Sequence, residues 1–240
     1  MKLIRIVLGL SLLHSAAVQA ADWLPPLRLQ YALVGSFASI ALRGSGSLVW
    51  WQQAGHYQVE LAGSSLVDAS YRSRGRVSGD WLQPDRYDQQ LFWRRQSVTF
   101  NRSSGQLQFS EAGGTEAIAT DMQDSASVFA QLTHLFGLRR DWAAGQQLVF
   151  TLARPRGSAR WVFRITDQPW LETAMGRLRC WHLQVLTPRG EPGDEVWLAP
   201  SLSNLPVQIR LQQGQDFLLF TALAPPTALE VPPPAPSSSP

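Results

Sequence analysis

A cysteine and a histidine lie close together at one place in this 240-residue chain. Cys180, the only cysteine, and His182 stand in the strand-like run RLRCWHLQVL. If that run forms a strand throughout, both side chains point to the same face. A thiol beside an imidazole is the pairing of a nucleophile with its general base. Because free cysteines are among the most buried residue types, we favour a structural role for Cys180.

Other catalytic and metal-binding patterns are missing from the sequence. It contains no G-x-S-x-G turn and no H-E-x-x-H helix, and Lys2 is its only lysine. The acidic run GEPGDE, with Glu191, Asp194 and Glu195, lacks the spacing of a calcium loop. We therefore predict a protein that is not an enzyme and has no cofactor or metal ion. A hydrolase built on carboxylates, or on Cys180 and His182, is the least favoured alternative.

Aromatic residues are abundant, with 10 Trp, 10 Phe and 4 Tyr. Most occupy positions that would face a core, but VWW at residues 49–51 and LFWRR at residues 91–95 place adjacent rings on opposite faces of a strand. A curved sheet with large rings on both faces can enclose one small apolar molecule. The residues that we predict to line such a cavity are Trp93, Phe100, Trp161, Phe163 and Trp197.

The elements that would position these rings are strands, because apolar and polar residues alternate with a period of two. Six runs show the alternation, with inward residues Leu27, Leu29, Tyr31 and Leu33; Tyr57, Val59 and Leu61; Val98 and Phe100; Leu148, Phe150 and Leu152; Trp161, Phe163 and Ile165; and Val207, Ile209 and Leu211. Glycine-rich turn signals separate the runs. The pattern predicts a mainly β domain, a single curved antiparallel sheet or partly open barrel of about ten to twelve strands.

One segment, DSASVFAQLTHLFGL, has the spacing of an amphipathic helix instead. Val128, Leu132 and Leu135 share a face, Asp124 can cap the start, and Gly137 can end the helix in a left-handed conformation. We therefore predict one helix at about residues 124–137, packed on the sheet.

The two ends of the chain differ in composition from the middle. Residues 1–20 combine basic Lys2 and Arg5, an apolar stretch at residues 6–13, and small residues before Ala21, which predicts a cleaved signal peptide and export to the periplasm. Residues 224–240 are rich in Pro and Ser, which predicts a disordered tail behind a β-rich domain at residues 21–223. No later stretch is apolar enough for a membrane helix, so an integral membrane protein is not expected.

The charge of the chain does not indicate a nucleic-acid partner. Lys2 and Arg5 are two of the 21 basic residues, so the chain without residues 1–20 is close to neutral against its 18 acidic residues. The arginines are also scattered, whereas a phosphate footprint would cluster them.

Five runs carry a resemblance to a known family: YALVGSFASIALRGSGSLVWWQQAGHYQVEL, GDWLQPDRYDQ, DMQDSASVFAQL, ETAMGRLRCWHLQV and DEVWLAPSLSNLPVQIR. In these runs the chain resembles exported proteins of Gram-negative envelopes that are grouped as a domain of unknown function. The last run, V-W-L-A-P followed by L-P-V, is the most specific, and its two prolines indicate a hairpin corner. The resemblance implies a β-rich fold similar to periplasmic lipoprotein carriers, with a helix over the mouth of a half-barrel, and it implies no activity.

Three functions follow from these features, in order of preference. The first is a non-catalytic binding module for an amphiphile, an acyl chain or a lipidated partner in the envelope. The second is a structural or protein-interaction component that uses edge strands and the Pro-rich tail. The third is the hydrolase.

Overall fold

A computed structural model describes residues 23–230 except residues 67, 92, 112 and 188–192. The predicted signal peptide and residues 231–240 of the predicted tail lie outside the described part. The elements are β1 (Leu27–Phe37), β2 (Ile40–Gln53), β3 (His56–Ser64), β4 (Asp68–Ser78), β5 (Trp81–Leu91), β6 (Arg94–Asn101), β7 (Gln106–Phe109), β8 (Thr115–Ala117), β9 (Met122–Asp124), α1 (Ser127–Leu138), β10 (Gln147–Arg154), β11 (Gly157–Asp167), β12 (Trp170–Thr173), β13 (Gly176–Arg179), β14 (Trp181–Val185), β15 (Glu195–Ala199), a 3-10 helix (Pro200–Leu202), β16 (Leu205–Gln213), β17 (Asp216–Ala222) and β18 (Thr227–Ala228).

The described strands form one large curved sheet of 16 strands and one separate hairpin, β12–β13. The order in the large sheet is β8-β7-β6-β5-β4-β3-β2-β1-β17-β16-β15-β14-β11-β10-β9, with β18 beside β1. Neighbours are antiparallel except for β9 and β10, which run parallel. The predicted mainly β fold is therefore confirmed, and the sheet has more strands than the ten to twelve expected.

The sheet curls until its two ends meet through side chains without closing into a barrel. Near one end of the order, Glu116 of β8 accepts hydrogen bonds from the backbone N–H and the hydroxyl of Ser158 in β11. Glu111 accepts from Arg156 in the β10–β11 turn at 3.1 Å. These polar contacts take the place of a strand ladder between the ends of the sheet.

The inner face of the curl is apolar because the period-two pattern sends every second residue inward. In β1, Leu27, Leu29, Tyr31 and Leu33 are buried while Arg28 and Gln30 are exposed. The Tyr31 hydroxyl satisfies its hydrogen-bonding capacity by donating to the Pro206 carbonyl at 2.7 Å. Burial of such side chains contributes roughly 1.5–3 kcal/mol each, which makes this face the main source of stability.

Helix α1 fills the concave side, and its inward residues include Val128, Phe129, Leu132 and Phe136. It begins three residues later than predicted, and its N-cap is Ala126 and not Asp124. Asp124, two residues before the N-cap, accepts from the N–H groups of Ala126 and Ser127. The predicted ending at Gly137 is wrong. The helix continues through Leu138, and the chain leaves it in an extended conformation at Arg139.

After β17 the chain returns to the first residues of β1. Thr227 and Ala228, which were predicted to be disordered, form β18 and pair with Arg28 and Leu27. The domain therefore extends beyond residue 223. Within the described residues, no helix is long and apolar enough to cross a bilayer.

Candidate functional site

A groove runs between α1 and the strands β2 and β16, and its walls are mostly apolar. It is lined by Trp23, Leu24, Leu48, Trp50, Ala130, Thr133, His134, Leu205 and Pro206. The cavity that remains inside it is about 20 Å³, which is space for one water molecule. The groove is thus filled, and what fills it comes from the segment before β1.

Trp23 closes the groove by stacking on two rings. Its indole lies parallel to the His134 imidazole with ring centroids 3.7 Å apart and stacks on Trp50 at 5.6 Å. Two indole hydrogen bonds hold the segment: Trp23 Nε1 donates to the Gly79 carbonyl at 3.3 Å, and Trp50 Nε1 donates to the Leu24 carbonyl at 2.9 Å. Trp23 and Leu24 belong to no strand, so side chains rather than a backbone ladder keep them in place.

His134 lies at the floor of the groove, in the middle of α1. Its Nε2 is 3.2 Å from the Asp80 carboxylate, and its side chain is otherwise covered. Burial lowers the pKa of His134 below its usual 6.5, and the Asp80 carboxylate opposes that effect. The neutral imidazole is therefore favoured under the Trp23 ring.

A buried polar chain fixes the start of α1 against the sheet. The Tyr57 hydroxyl donates to Ser73 Oγ at 2.9 Å, and Ser73 donates to Asp124 Oδ2 at 2.6 Å. Desolvation raises the pKa of Asp124 from 3.8 to about 6, although hydrogen bonds from Ser127, Ser73 and Ala126 oppose the rise. The carboxyl group joins β3, β4 and the helix in one network.

A second polar contact fixes the middle of α1. Gln131 is fully buried, accepts from the Leu82 N–H at 2.7 Å and donates to the Asp80 carbonyl at 2.7 Å. Gln123 donates to the Leu82 carbonyl at 2.9 Å. These bonds hold α1 at β5.

Three of the five rings predicted to line a cavity do face the interior, where they are packed as core. Phe100 and Phe163 are buried, and Trp161 packs against Phe163 with Arg154 at 4.0 Å over its ring. None of these three lines the groove under Trp23.

The other two predicted rings lie outside the interior. Trp93 stands at the β5–β6 turn and is 86% exposed. Trp197 faces outward from β15 and stacks on His182 with ring centroids 4.3 Å apart. The five residues therefore do not line one cavity, because two point away from the space that the other three fill.

Contrary to the prediction from the sequence, Cys180 and His182 do not share one face of a strand. β14 begins at Trp181, so the alternation of a strand does not include Cys180, which is buried and directs its thiol to the Leu178 carbonyl at 3.6 Å. Burial raises the pKa of Cys180 to about 11, which disfavours the reactive thiolate. The structural interpretation of Cys180 agrees with this placement.

His182 belongs instead to a polar cluster on the outer face. Its Nε2 is 2.7 Å from Glu195, and its Nδ1 is 2.8 Å from the Thr166 hydroxyl and 3.3 Å from Asp167. Both ring nitrogens therefore have protein partners on this face. Across the described ranges, no three His, Cys, Asp or Glu side chains are arranged to hold a metal ion.

A second concavity, of about 310 Å³, lies on the outer face of β1–β5. Its floor consists of small residues such as Ser45, Ser47 and Ala62, and Arg28 and Asp68 stand at its margins. It is open and polar and lacks an aromatic ring, so it does not suit an apolar ligand.

Comparison with known proteins defines the family. The family described as a protein of unknown function, DUF3108, matches residues 37–215, which is most of the chain. The chain belongs to the DUF3108 family. The predicted resemblance is confirmed to this extent: the chain belongs to a β-rich family without an assigned function. Most residues that line the groove of this DUF3108 chain lie inside the matched range, whereas Trp23 and Leu24 precede it.

A solved structure supports the fold of the DUF3108 chain. The β-barrel-like protein of the domain of unknown function DUF1849 from Brucella abortus is similar, with a TM-score of 0.55 and 10% sequence identity, over 83% of this chain and 96% of that one. At that identity the likeness concerns the fold alone. No functionally curated protein matches the sequence.

Sequence reasoning missed the residues that close the groove. Trp23 and Leu24 precede Pro25 and Pro26 and show no periodicity, because they form neither helix nor strand. The available signal was a large aromatic residue just before two prolines, near the start of the predicted domain.

Proposed function

We propose that this protein is a non-catalytic binding module of the cell envelope that holds the apolar chain of an amphiphile between α1 and the sheet. The observation that carries the proposal is the closure of this groove by Trp23, a residue outside every strand and helix. A core built only for stability would be filled from the elements themselves. Here the groove between helix and sheet is filled by a segment that can leave without breaking a strand ladder.

The energy of opening is small enough for a ligand to supply. Opening exposes the side chains of Trp23 and Leu24, roughly 1.5–3 kcal/mol each, and breaks two indole hydrogen bonds at about 1 kcal/mol each. A buried methylene contributes about 0.8 kcal/mol, so roughly six to ten methylenes offset the opening. An acyl chain of ordinary length has more than that number.

Pro25 and Pro26 suit a segment that moves as a unit. They separate Trp23 and Leu24 from β1, which starts at Leu27. Proline restricts its own φ and disfavours helix in the residue before it, so two consecutive prolines form a stiff, extended connection. Trp23 and Leu24 would therefore swing out together.

The location in the envelope is part of the same proposal. It is supported by the basic residues, apolar stretch and small residues of positions 1–20, which together have the pattern of a cleaved signal peptide. An amphiphile, or the acyl chains of a lipidated partner protein, would be available to an exported protein in that compartment.

Native mass spectrometry of protein purified without detergent tests the proposal. We expect hexadecanoic acid added to the protein to give a one-to-one complex and to raise its melting temperature. Octanedioic acid, which has a charge at each end and a short chain, is the matched control and should do neither. An unchanged apo mass and melting temperature with hexadecanoic acid would rule the proposal out.

A further inference from the structure

Four large apolar side chains stand exposed at the turns of neighbouring hairpins. Phe37 and Ile40 flank the β1–β2 turn and are 42% and 57% exposed, Leu66 in the β3–β4 turn is 78% exposed, and Trp93 in the β5–β6 turn is 86% exposed. We refer to these four residues as the hairpin-tip surface. Turns usually carry Gly, Pro, Asn, Asp or Ser, so Leu66 and Trp93 are unusual turn residues, and Phe37 and Ile40 form the exposed strand pair next to their turn.

The register of the sheet places the three turns at one end. Ser45 pairs with Ser64 and Ala69 pairs with Leu91, so the β3–β4 and β5–β6 turns lie beside each other, and the β1–β2 hairpin extends beyond them on the same side. Each hairpin is two strands from the next, so the tips are spaced by about 10 Å across the sheet. The side chains form a row of separate projections.

The opposite end of the same strands is different. The β2–β3 turn there is Ala54–Gly55, and the β4–β5 turn is Gly79–Asp80, so small or polar residues occupy these positions. The other exposed large apolar side chains of the described residues are Val34, Trp81, Leu138, Trp170 and Leu223. Trp81 flanks the β4–β5 turn at this end, but it is 38% exposed, less than each of the four residues of the hairpin-tip surface. The most exposed apolar side chains of these hairpins therefore lie at one end.

Two exposed arginines accompany the hairpin-tip surface. Arg43 lies directly opposite the exposed Val34 near the β1–β2 turn, and Arg95 follows Trp93 by two residues. Neither has a carboxylate within ion-pair distance among the described residues, whereas Arg94 is paired with Glu111 at 2.8 Å. Tryptophan favours the headgroup level of a bilayer, and arginine complements anionic lipid there.

We propose that the hairpin-tip surface docks on an anionic lipid bilayer, with Trp93, Leu66, Ile40 and Phe37 entering the interface and Arg43 and Arg95 contacting headgroups. Separate projections suit a fluid surface, because each can insert without a matching shape. A stable protein partner would need a continuous patch of roughly 800 Å² on this chain. This inference is independent of the groove, which opens toward the other end of the strands.

Co-sedimentation with vesicles tests the proposal. We expect the protein to bind vesicles of phosphatidylcholine with phosphatidylglycerol, and the double variant Leu66→Ser with Trp93→Ser to bind at least about ten-fold more weakly. The matched control is Trp170→Ser with Leu223→Ser, which removes an exposed Trp and an exposed Leu outside the hairpin-tip surface and should bind like the wild type. Equal loss in both double variants, or no binding by the wild type, would overturn the proposal.

A charge variant and a solution measurement separate the remaining possibilities. Arg43→Gln with Arg95→Gln should lose the preference for phosphatidylglycerol and the salt sensitivity of binding, while Arg74→Gln, exposed in the middle of β4, should keep both.

Concentration-dependent dimerisation of the wild type that Trp93→Ser abolishes would overturn lipid docking in favour of a second copy of the chain. All variants should keep the wild-type response to hexadecanoic acid, which separates this test from that of the groove.

Discussion

Trp23 lies flat on the imidazole of His134, with the two ring planes only 7° apart. The contact joins a residue that precedes the first strand to the centre of the helix that fills the sheet. His134 is held from the side by Asp80, so its ring offers one face to Trp23. The closed groove therefore depends on a contact made by a residue outside the strands and the helix.

Because of His134, the free energy of unfolding should decrease as the pH falls. Burial lowers its pKa below 6.5 in the folded state, so the unfolded chain takes up a proton first as the pH falls. The stabilising contribution is complete above about pH 6.5 and is lost as the pH drops toward the folded pKa. Urea unfolding of His134→Gln should show a weaker loss between about pH 7.5 and pH 5.5 than the wild type. His56→Gln, at an exposed position on the β2–β3 turn, is the control, and an identical slope in all three proteins would contradict the prediction.

Asp124 should have the opposite effect, so that the free energy of unfolding decreases as the pH rises. Burial raises its pKa from 3.8 to about 6, so the folded state holds this proton more tightly and loses stability as the pH rises through that interval. Asp124→Asn keeps an acceptor for the N–H groups of Ala126 and Ser127 but does not ionise. The variant should match the wild type at about pH 4 and exceed it by on the order of 2–3 kcal/mol at about pH 7.5. A constant difference across that range would show that the carboxyl group does not titrate as described.

Asp124→Ala separates the hydrogen bonds of this residue from its charge. It leaves Ser73 and two buried N–H groups at the helix start without their acceptor. Relative to Asp124→Asn, which does not ionise either, the free energy of unfolding should be lower by roughly 1–3 kcal/mol at every pH in the same urea titrations. If Asp124→Ala is as stable as Asp124→Asn, the network contributes little to positioning α1.

Gln131 should stabilise the folded protein through its two hydrogen bonds to the backbone and not through the volume of its side chain. Gln131→Leu has a similar volume but leaves the Leu82 N–H and the Asp80 carbonyl without partners. We expect a loss of roughly 2–4 kcal/mol in the free energy of unfolding. Gln106→Leu, at the exposed start of β7, is the control and should change stability by less than about 0.5 kcal/mol. Similar values for the two variants would contradict the anchoring role.

Cys180 should react slowly with thiol reagents in the folded protein. Its pKa of about 11 leaves little thiolate near neutral pH, and its side chain is buried. Alkylation by iodoacetamide at pH 8 should be at least about 100-fold slower than that of a free cysteine and should become fast in urea. A rate in the native protein close to that of free cysteine would restore Cys180 as a candidate nucleophile.

The period of two in the sequence was sufficient to predict the sheet, because burial on one face requires it. Within β15 the same rule puts Trp197 on the face opposite Val196 and Leu198, and the structure places Trp197 on the outer face while the other two are buried, so the prediction that Trp197 lines a cavity conflicts with the alternation. It failed for Cys180 because β14 starts one residue later, and no local pattern marks that boundary. It also failed for Trp93, which lies in a turn between two strands, where alternation has no meaning.

The closure of the groove could not be predicted from local patterns. Trp23 meets Trp50, Gly79 and His134, which lie 27, 56 and 111 residues away in the chain, only after the sheet has curled around α1. Likewise β18 forms because Thr227 and Ala228 reach the edge of β1, although their Pro-rich surroundings predict disorder. Both contacts are decided by the curvature of the sheet.

The most direct measurement of the central claim is a fluorescence titration with dansyl-undecanoic acid of the wild type, Trp23→Ala and Trp170→Ala. If Trp23 competes with an acyl chain for the groove, its removal raises the fraction of open protein, and Kd should fall by about ten-fold or more. Trp170→Ala removes an exposed ring on the separate hairpin and should leave Kd at the wild-type value. Weaker or unchanged binding by Trp23→Ala would show that Trp23 is part of the permanent core, and the groove would then not be a binding site.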